Sequence, residues 1–328
     1  MTALLLFSSW IATLVAQSQQ DPGLSTLIAT VTDRNGTVIS DLGPGDFTLS
    51  DSGKEQKIVF AEQSKSRPIS IGFIVDTSAA MKTQLAEFAG AIDRFSRSRG
   101  TAEEVFLVSF SSFARLDQKL TVDRDRFTAA LRGMQLARGR SLYDAIQEGT
   151  KEARNSENQR KAIILIAAGQ DTADRSTLND ALFAVRESDA VFYSLGVGSN
   201  MNVGVGAPSR FSQVTIPPIT LPGGTRIPSS EPASRQSQDK ALDSDSVDML
   251  ALERLAAAGA GRAILLKTSL DEVLVILQAE LESQYVIRYK PDHPANDGKW
   301  HSVSIRTRNS RFQVRTRKEY FSPKDSKK

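Results

Sequence analysis

The side chains with which this 328-residue chain could do chemistry are few, and most of them are oxygens. Cysteine is absent and histidine occurs twice, at His293 and His301. That excludes thiol nucleophiles, disulfides, iron–sulfur clusters and cysteine zinc sites. It also leaves almost no material for histidine general-base catalysis or a multi-histidine metal site. Polar groups at expected strand ends fall in three segments: Asp76-Thr-Ser-Ala-Ala-Met81, Gly139-Arg-Ser-Leu-Tyr-Asp-Ala145 and Ile166-Ala-Ala-Gly-Gln-Asp-Thr172. No imidazole stands near them in sequence to activate a nucleophile, and such residues also close turns. The carboxylate pairs Glu103-Glu104 and Asp243-Asp245 read as exposed loop residues with nothing to fix their separation, so no glycosidase argument can be built on them. No P-loop, Gly-x-Ser-x-Gly, His-Glu-x-x-His or dinucleotide fingerprint occurs in a strand–helix context.

The elements that must position those segments are legible from hydrophobic period. Residues 69–75, 105–110, 162–167 and 191–197 are near-continuous apolar runs, the pattern of strands buried on both faces. Between them run stripes at helical spacing: Leu85, Phe88, Ile92 and Phe95; Phe127, Leu131 and Met134; Leu178, Ala181, Leu182 and Val185; Leu270, Val273, Leu274, Leu277 and Leu281. This alternation predicts an α/β unit with an open, mostly parallel sheet covered by helices on both faces. The ligand crevice of such a sheet lies at the carboxyl ends of its strands, and Asp76 ends the first of them. Asp144, beside Tyr143, is expected one turn into a helix that begins near Arg140, where it complements the dipole and braces the loops.

Both ends of the chain have a different texture. Residues 25–62 and 284–321 read as short alternating strands, with turn signals at Asn35-Gly36 and over residues 51–54. On the strand beginning at Trp300, His301, Val303 and Ile305 face inward. Neither set can build a core alone. The expected layout is therefore a Rossmann-like α/β domain over 67–283, inserted in a small β-sandwich formed by 18–66 and 284–328. Residues 198–246, rich in Pro, Gly, Ser and Gln, form a long insert on the same face as Asp76. It is expected as a solvated loop, with a cover over the site or a docking segment near residues 214–221 as the sharper reading. Residues 1–16 are apolar and a polar run follows, so 1–17 are predicted as a secretory signal peptide, against a buried N-terminal helix. Export to the periplasm or medium follows, and the chain is not an integral membrane protein unless the leader is retained. Lys and Arg number 41 against 38 Asp and Glu, and a formal charge of +3 does not suggest a nucleic-acid binder. The excess is local: nine Lys and Arg lie between Arg306 and Lys328, a basic face that is solvated by default and otherwise suits an anionic surface or polysaccharide.

A strand ending in Asp76-Thr-Ser78 resembles the metal-ion-dependent adhesion site of von Willebrand factor type A domains. Further stretches, among them Arg67-Pro-Ile-Ser-Ile-Gly-Phe-Ile-Val-Asp-Thr-Ser78, Leu142-Tyr-Asp-Ala-Ile146 and Tyr289-Lys-Pro291, are similar to exported bacterial, acidobacterial-type von Willebrand factor A-related proteins. The resemblance covers nearly the whole chain after the leader. It implies that two hydroxyls of the first loop, a Thr of the second and an Asp of the third hold one divalent ion, whose open position a partner carboxylate completes. Carried onto this chain, Asp76, Ser78 and Ser141 match, Ala80 stands where the second hydroxyl belongs, and Ala168 where the third-loop carboxylate belongs. Asp171 is the candidate substitute ligand. The expected outcome is a degenerate site with no cofactor, or weakly bound Mg²⁺ or Mn²⁺, in which Asp76 and Ser78 serve as turn residues.

The function expected from these readings is a non-enzymatic, extracytoplasmic protein-interaction or adhesion module with an unidentified protein ligand and no catalytic residues. The alternatives are a metal-dependent enzyme or accessory subunit using Asp76 and Asp171, and an envelope scaffold that has lost ligand binding.

Overall fold

The structure, a computed structural model, describes residues 24–64, 67–100, 102–198, 247–293, 297–322 and 324. The expected leader, nearly all of the expected insert, the pair Asp243-Asp245 and the final lysines lie outside them.

The chain opens with β1 (Ser25–Thr32), β2 (Phe47–Asp51), β3 (Lys54–Gln56) and β4 (Ile58–Gln63). Leu27, Ala29 and Val31 alternate into a core with Phe47, Leu49 and Ala61. The β2–β3 turn needs positive φ at both central residues, and Ser52 and Gly53 supply 50° and 80°. The turn at Asn35-Gly36 also forms, but its return stretch makes one bridge, Thr32 to Val38, in place of a strand.

The α/β unit follows: β5 (Ile69–Asp76), α1 (Leu85–Arg97), β6 (Glu104–Phe110), β7 (Ala114–Thr121), α2 (Arg124–Arg132), α3 (Leu142–Arg154) and β8 (Arg160–Ala167). Then come α4 (Leu178–Glu187), β9 (Val191–Gly196), α5 (Met249–Ala258), β10 (Ala263–Leu265) and α6 (Leu270–Ser283). The six strands order as β10-β9-β8-β5-β6-β7. All neighbours are parallel except β6 and β7, whose antiparallel pairing makes β7 an edge. The apolar stripes of α1, α2 and α6 cover one face, around Phe73 and Phe127; those of α3, α4 and α5 cover the other, around Phe106 and Phe192. As in other open parallel sheets, the crevice lies beyond the carboxyl ends of β5, β6 and β8.

The chain ends with β11 (Tyr285–Tyr289), β12 (Lys299–Thr307), β13 (Gln313–Arg315) and β14 (Glu319–Ser322). They join the opening strands in two four-stranded sheets, ordered β13-β1-β11-β4 and β14-β12-β2-β3. Leu27 faces Ile287 in register, and Leu49 faces Ile305.

Polar ties hold this sandwich to the α/β unit. Glu280 on α6, 3% exposed, accepts from the Tyr193 hydroxyl at 2.7 Å and pairs with Arg262 at 2.9 Å and with Arg315 of β13. Arg317 pairs with Asp189, donates to the Thr26 carbonyl at 3.0 Å and lies over the Tyr320 ring. Burial pushes its pKa down to about 10. The basic C-terminal run is therefore not wholly a solvated face: Arg315 and Arg317 turn inward as staples, while Arg306, Arg308, Arg311 and Lys318 stay exposed. Glu103 and Glu104 also depart from the exposed-loop reading. Glu103 pairs with Arg99, and Glu104 accepts from Ser70 and Ser156 at 2.6 and 2.7 Å because β6 begins there between two neighbours.

Candidate functional site

Asp76 is the last residue of β5 and is 1% exposed. Its Oδ1 accepts from the backbone N–H of Ser78 at 2.7 Å, a short-range bond that bends the chain into the 3-10 turn at Ala79–Met81. Its Oδ2 has no hydrogen-bond partner and lies 3.6 Å from Nε of Arg140. Ser78, 4% exposed, takes a hydrogen bond on its Oγ from the same Nε at 3.3 Å. Ser141 caps α3; its amide donates to the Ser111 carbonyl at 2.7 Å, while its buried Oγ is without a partner. Asp76 and Ser78 thus meet at Arg140, whose chain neighbour is Ser141.

Asp171 is used elsewhere. Its carboxylate accepts from the amides of Tyr143, Ala173 and Asp174 at 3.2, 3.0 and 3.2 Å, closing the loop after β8. Ala80 and Ala168 present methyl groups, and the Ala168 carbonyl accepts from the Asp248 amide at 2.8 Å. Gly169 next to it has φ 85°, and a Cβ there would meet the Asp248 carbonyl oxygen at 2.6 Å, so the loop before α5 can pack against this turn only over a glycine. Asp144 sits in the first turn of α3, pairs with Arg175 at 3.3 Å and accepts from Ser176 at 2.5 Å, bracing two loops.

The residue that sequence reasoning passed over is Arg140. Its backbone is fixed twice by Thr172, through N–H to Oγ1 at 2.9 Å and through its carbonyl to the Thr172 amide at 2.8 Å. Its side chain, 10% exposed, reaches into the crevice, where Nη1 donates to Gln170 Oε1 at 2.7 Å. The only signal was an arginine directly ahead of Ser141, and sequence does not tell an inward guanidinium from a solvated one.

This donor set does not suit a divalent ion. It offers one carboxylate and two hydroxyls, one already bonded to Arg140, and a fixed positive charge stands 3.6 Å from the carboxylate that an ion would need. The Asp76 pKa lies above its ordinary value, chiefly because burial disfavours the charge; the bonds from Ser78 and the nearby Arg140 oppose that shift without cancelling it. A raised carboxylate pKa contributes stability that is full below the unfolded value and lost as pH rises through the folded value. Asp76→Asn, which cannot ionise, is therefore expected to gain on wild type between about pH 4 and about pH 7.5. Circular-dichroism melting of both proteins at the two pH values checks this, and a shift in the wild type's favour would make the Arg140 pairing the larger effect.

Residues 71–170 match the family model described as von Willebrand factor type A domain. Compared with curated proteins, the chain finds no match. Among solved structures it is similar to the conserved hypothetical protein BatB from Bacteroides thetaiotaomicron, at 17% identity and a TM-score of 0.44, covering 65% of this chain and 97% of that one. It is also similar to an aerotolerance-related membrane protein from Bacteroides fragilis, at 16% identity and a TM-score of 0.45, covering 65% and 98%. A von Willebrand factor type A protein from Catenulispora acidiphila aligns at 11% identity and a TM-score of 0.45, over 93% of this chain and 74% of that one. The α/β unit has the von Willebrand factor A-type fold, with two further four-stranded sheets beside it.

Proposed function

We propose that the chain is a non-enzymatic, extracytoplasmic protein-interaction or adhesion module whose contact face is the carboxyl end of the parallel sheet. Divalent-metal binding there is weak or lost, and the guanidinium of Arg140 supplies the positive charge that an ion would bring. The placement of Arg140 against Asp76 and Ser78 carries this reading. A catalytic role for Asp76 with Asp171 has less support, since the Asp171 carboxylate is taken up by three backbone amides. The apolar opening of the sequence supports export.

The rim of the crevice favours a contact face over a scaffold without ligands. Phe113, in the turn after β6, is 68% exposed, and the Arg175 guanidinium stands 4.6 Å over its ring. Arginine and aromatic side chains dominate the energetics of protein contacts. Pull-down from envelope extract with the full chain tests the proposal. Capture of a protein is expected to survive a chelator and to fall about tenfold or more in Phe113→Ala/Arg175→Ala. Capture that needs Mg²⁺, or that ignores the double variant, would overturn it.

A further inference from the structure

Both histidines of the chain meet at one place in the sandwich, their rings stacked. Asp51 ends β2, His301 lies on β12 beside it, and Tyr320 of β14 faces His301 in register. Tyr289 reaches the same spot from the opposing sheet, and His293 from the connection after β11. Asp51 is 1% exposed and His301 7%, while the His293 side chain keeps 20% of its surface, which leaves the cluster a way in from solvent.

The Tyr289 and Tyr320 hydroxyls each donate to Asp51 Oδ2 at 2.7 Å, and His293 Nε2 lies 3.2 Å from the same oxygen. His301 Nε2 stands 3.1 Å from Asp297 Oδ1, and its Nδ1 stands 3.1 Å from Ser52 Oγ. An ionised Asp297 only accepts, so in a neutral ring Nε2 carries the proton and Nδ1 is a bare lone pair. Ser52 Oγ, with one proton, then faces two acceptors, His301 Nδ1 and Asp51 Oδ1 at 3.0 Å. One donor is missing there. Among the described residues no Lys or Arg makes an ion pair with Asp51; its one ion-pair partner is His293.

We propose that Asp51, His293 and His301 form a binding site for a transition-metal dication of the zinc type. One ligand atom from each lies within 4.8 Å of the others. The 3.2 Å between Asp51 Oδ2 and His293 Nε2 is close to the roughly 3.3 Å edge of a tetrahedron with bonds of about 2.0 Å. Two imidazoles and one carboxylate suit Zn²⁺ over Mg²⁺ or Ca²⁺. The outer partners are in place as well: Asp297 on the far nitrogen of His301, and two tyrosines on the Asp51 carboxylate. The imidazole rings stack at 3.6 Å and 6°, so ligation requires His293, borne on a connection, to tilt out of the stack. The ion would clasp that connection to β2 and β12, joining strands from both ends of the chain.

Because the chain has two histidines, ¹⁵N-histidine labelling gives two ring spin systems in the intact protein. On adding ZnCl₂ to chelator-treated protein near neutral pH, both rings are expected to shift and saturate at about one equivalent, while MgCl₂ leaves them unmoved. Calorimetric affinity for Zn²⁺ is expected to fall about 100-fold in His293→Gln, the more exposed and more tolerant of the two positions. Rings that do not respond to Zn²⁺ would overturn the proposal. Zn²⁺ binding unchanged by His293→Gln would overturn it too.

Discussion

Glu280→Ala is expected to destabilise the protein by about 3–5 kcal/mol and to lower its Tm by roughly 10 °C. The carboxylate is buried between Arg262, Arg315 and the Tyr193 hydroxyl, and its loss strands the Arg262 guanidinium, 13% exposed, and takes the ion-pair partner from Arg315. A buried charge without its partner keeps its desolvation cost. Burial alone would raise the Glu280 pKa, yet it lies below its ordinary value because Arg262 and Arg315 favour the charged form. A depressed carboxylate pKa contributes stability above the unfolded value that is lost as pH falls through the folded value. The gap between wild type and Glu280→Ala should therefore be widest near neutrality and shrink below about pH 4.5. Glu280→Gln, which keeps hydrogen bonds and loses the charge, should fall between the two. Urea unfolding at both pH values measures the effect; a loss under about 1 kcal/mol, typical of an exposed ion pair, would mean that water reaches the triad.

A second large effect is a gain. Arg140→Ala combined with Ala80→Ser and Ala168→Asp is expected to bind Mg²⁺ or Mn²⁺ at least about 100-fold more tightly than wild type. Ala80→Ser and Ala168→Asp without the change at Arg140 should gain little. The guanidinium, 3.6 Å from Asp76, would pair with the new carboxylate and repel the ion. In the triple variant the position at Ala168, 2% exposed in the wild type, carries a second acid beside Asp76. Its apo form should melt lower than wild type and recover on adding metal. Titration calorimetry of wild type, double and triple variants decides the matter, and equal affinity of the last two would refute Arg140 as the obstacle.

Much of the architecture was readable because burial writes itself as period. The cores of β5, β6, β8 and β9 and the stripes of α1, α2, α4 and α6 follow from apolar spacing. β7 escaped because it is a half-exposed edge carrying Asp117, Gln118 and Lys119, and β10 because it has three residues. At the crevice, Asp76 and Ser78 were found as residues local to one strand end. Arg140 was not, because its role depends on Thr172 and Gln170, some thirty positions away, turning its side chain inward. The inward turn of Arg315 and Arg317 was hidden for the same reason: their acids, Glu280 and Asp189, lie on other elements. Two histidines are few for a metal site, and their convergence on Asp51 is not legible in sequence because it joins both ends of the chain.

The strand pairing also sets a timetable for synthesis. Leu27 waits for Ile287, and Ala61 for the same residue from the other side. While the ribosome makes the intervening α/β unit, β1 and β4 are nascent edges with open hydrogen-bonding rows, an invitation to chaperones or to neighbouring chains. The α/β unit has its own core and can form in that interval; the sandwich cannot close before β11 arrives. A truncated translation product would therefore carry a finished α/β unit on an unfinished base, and its open edges would mark it for proteolysis.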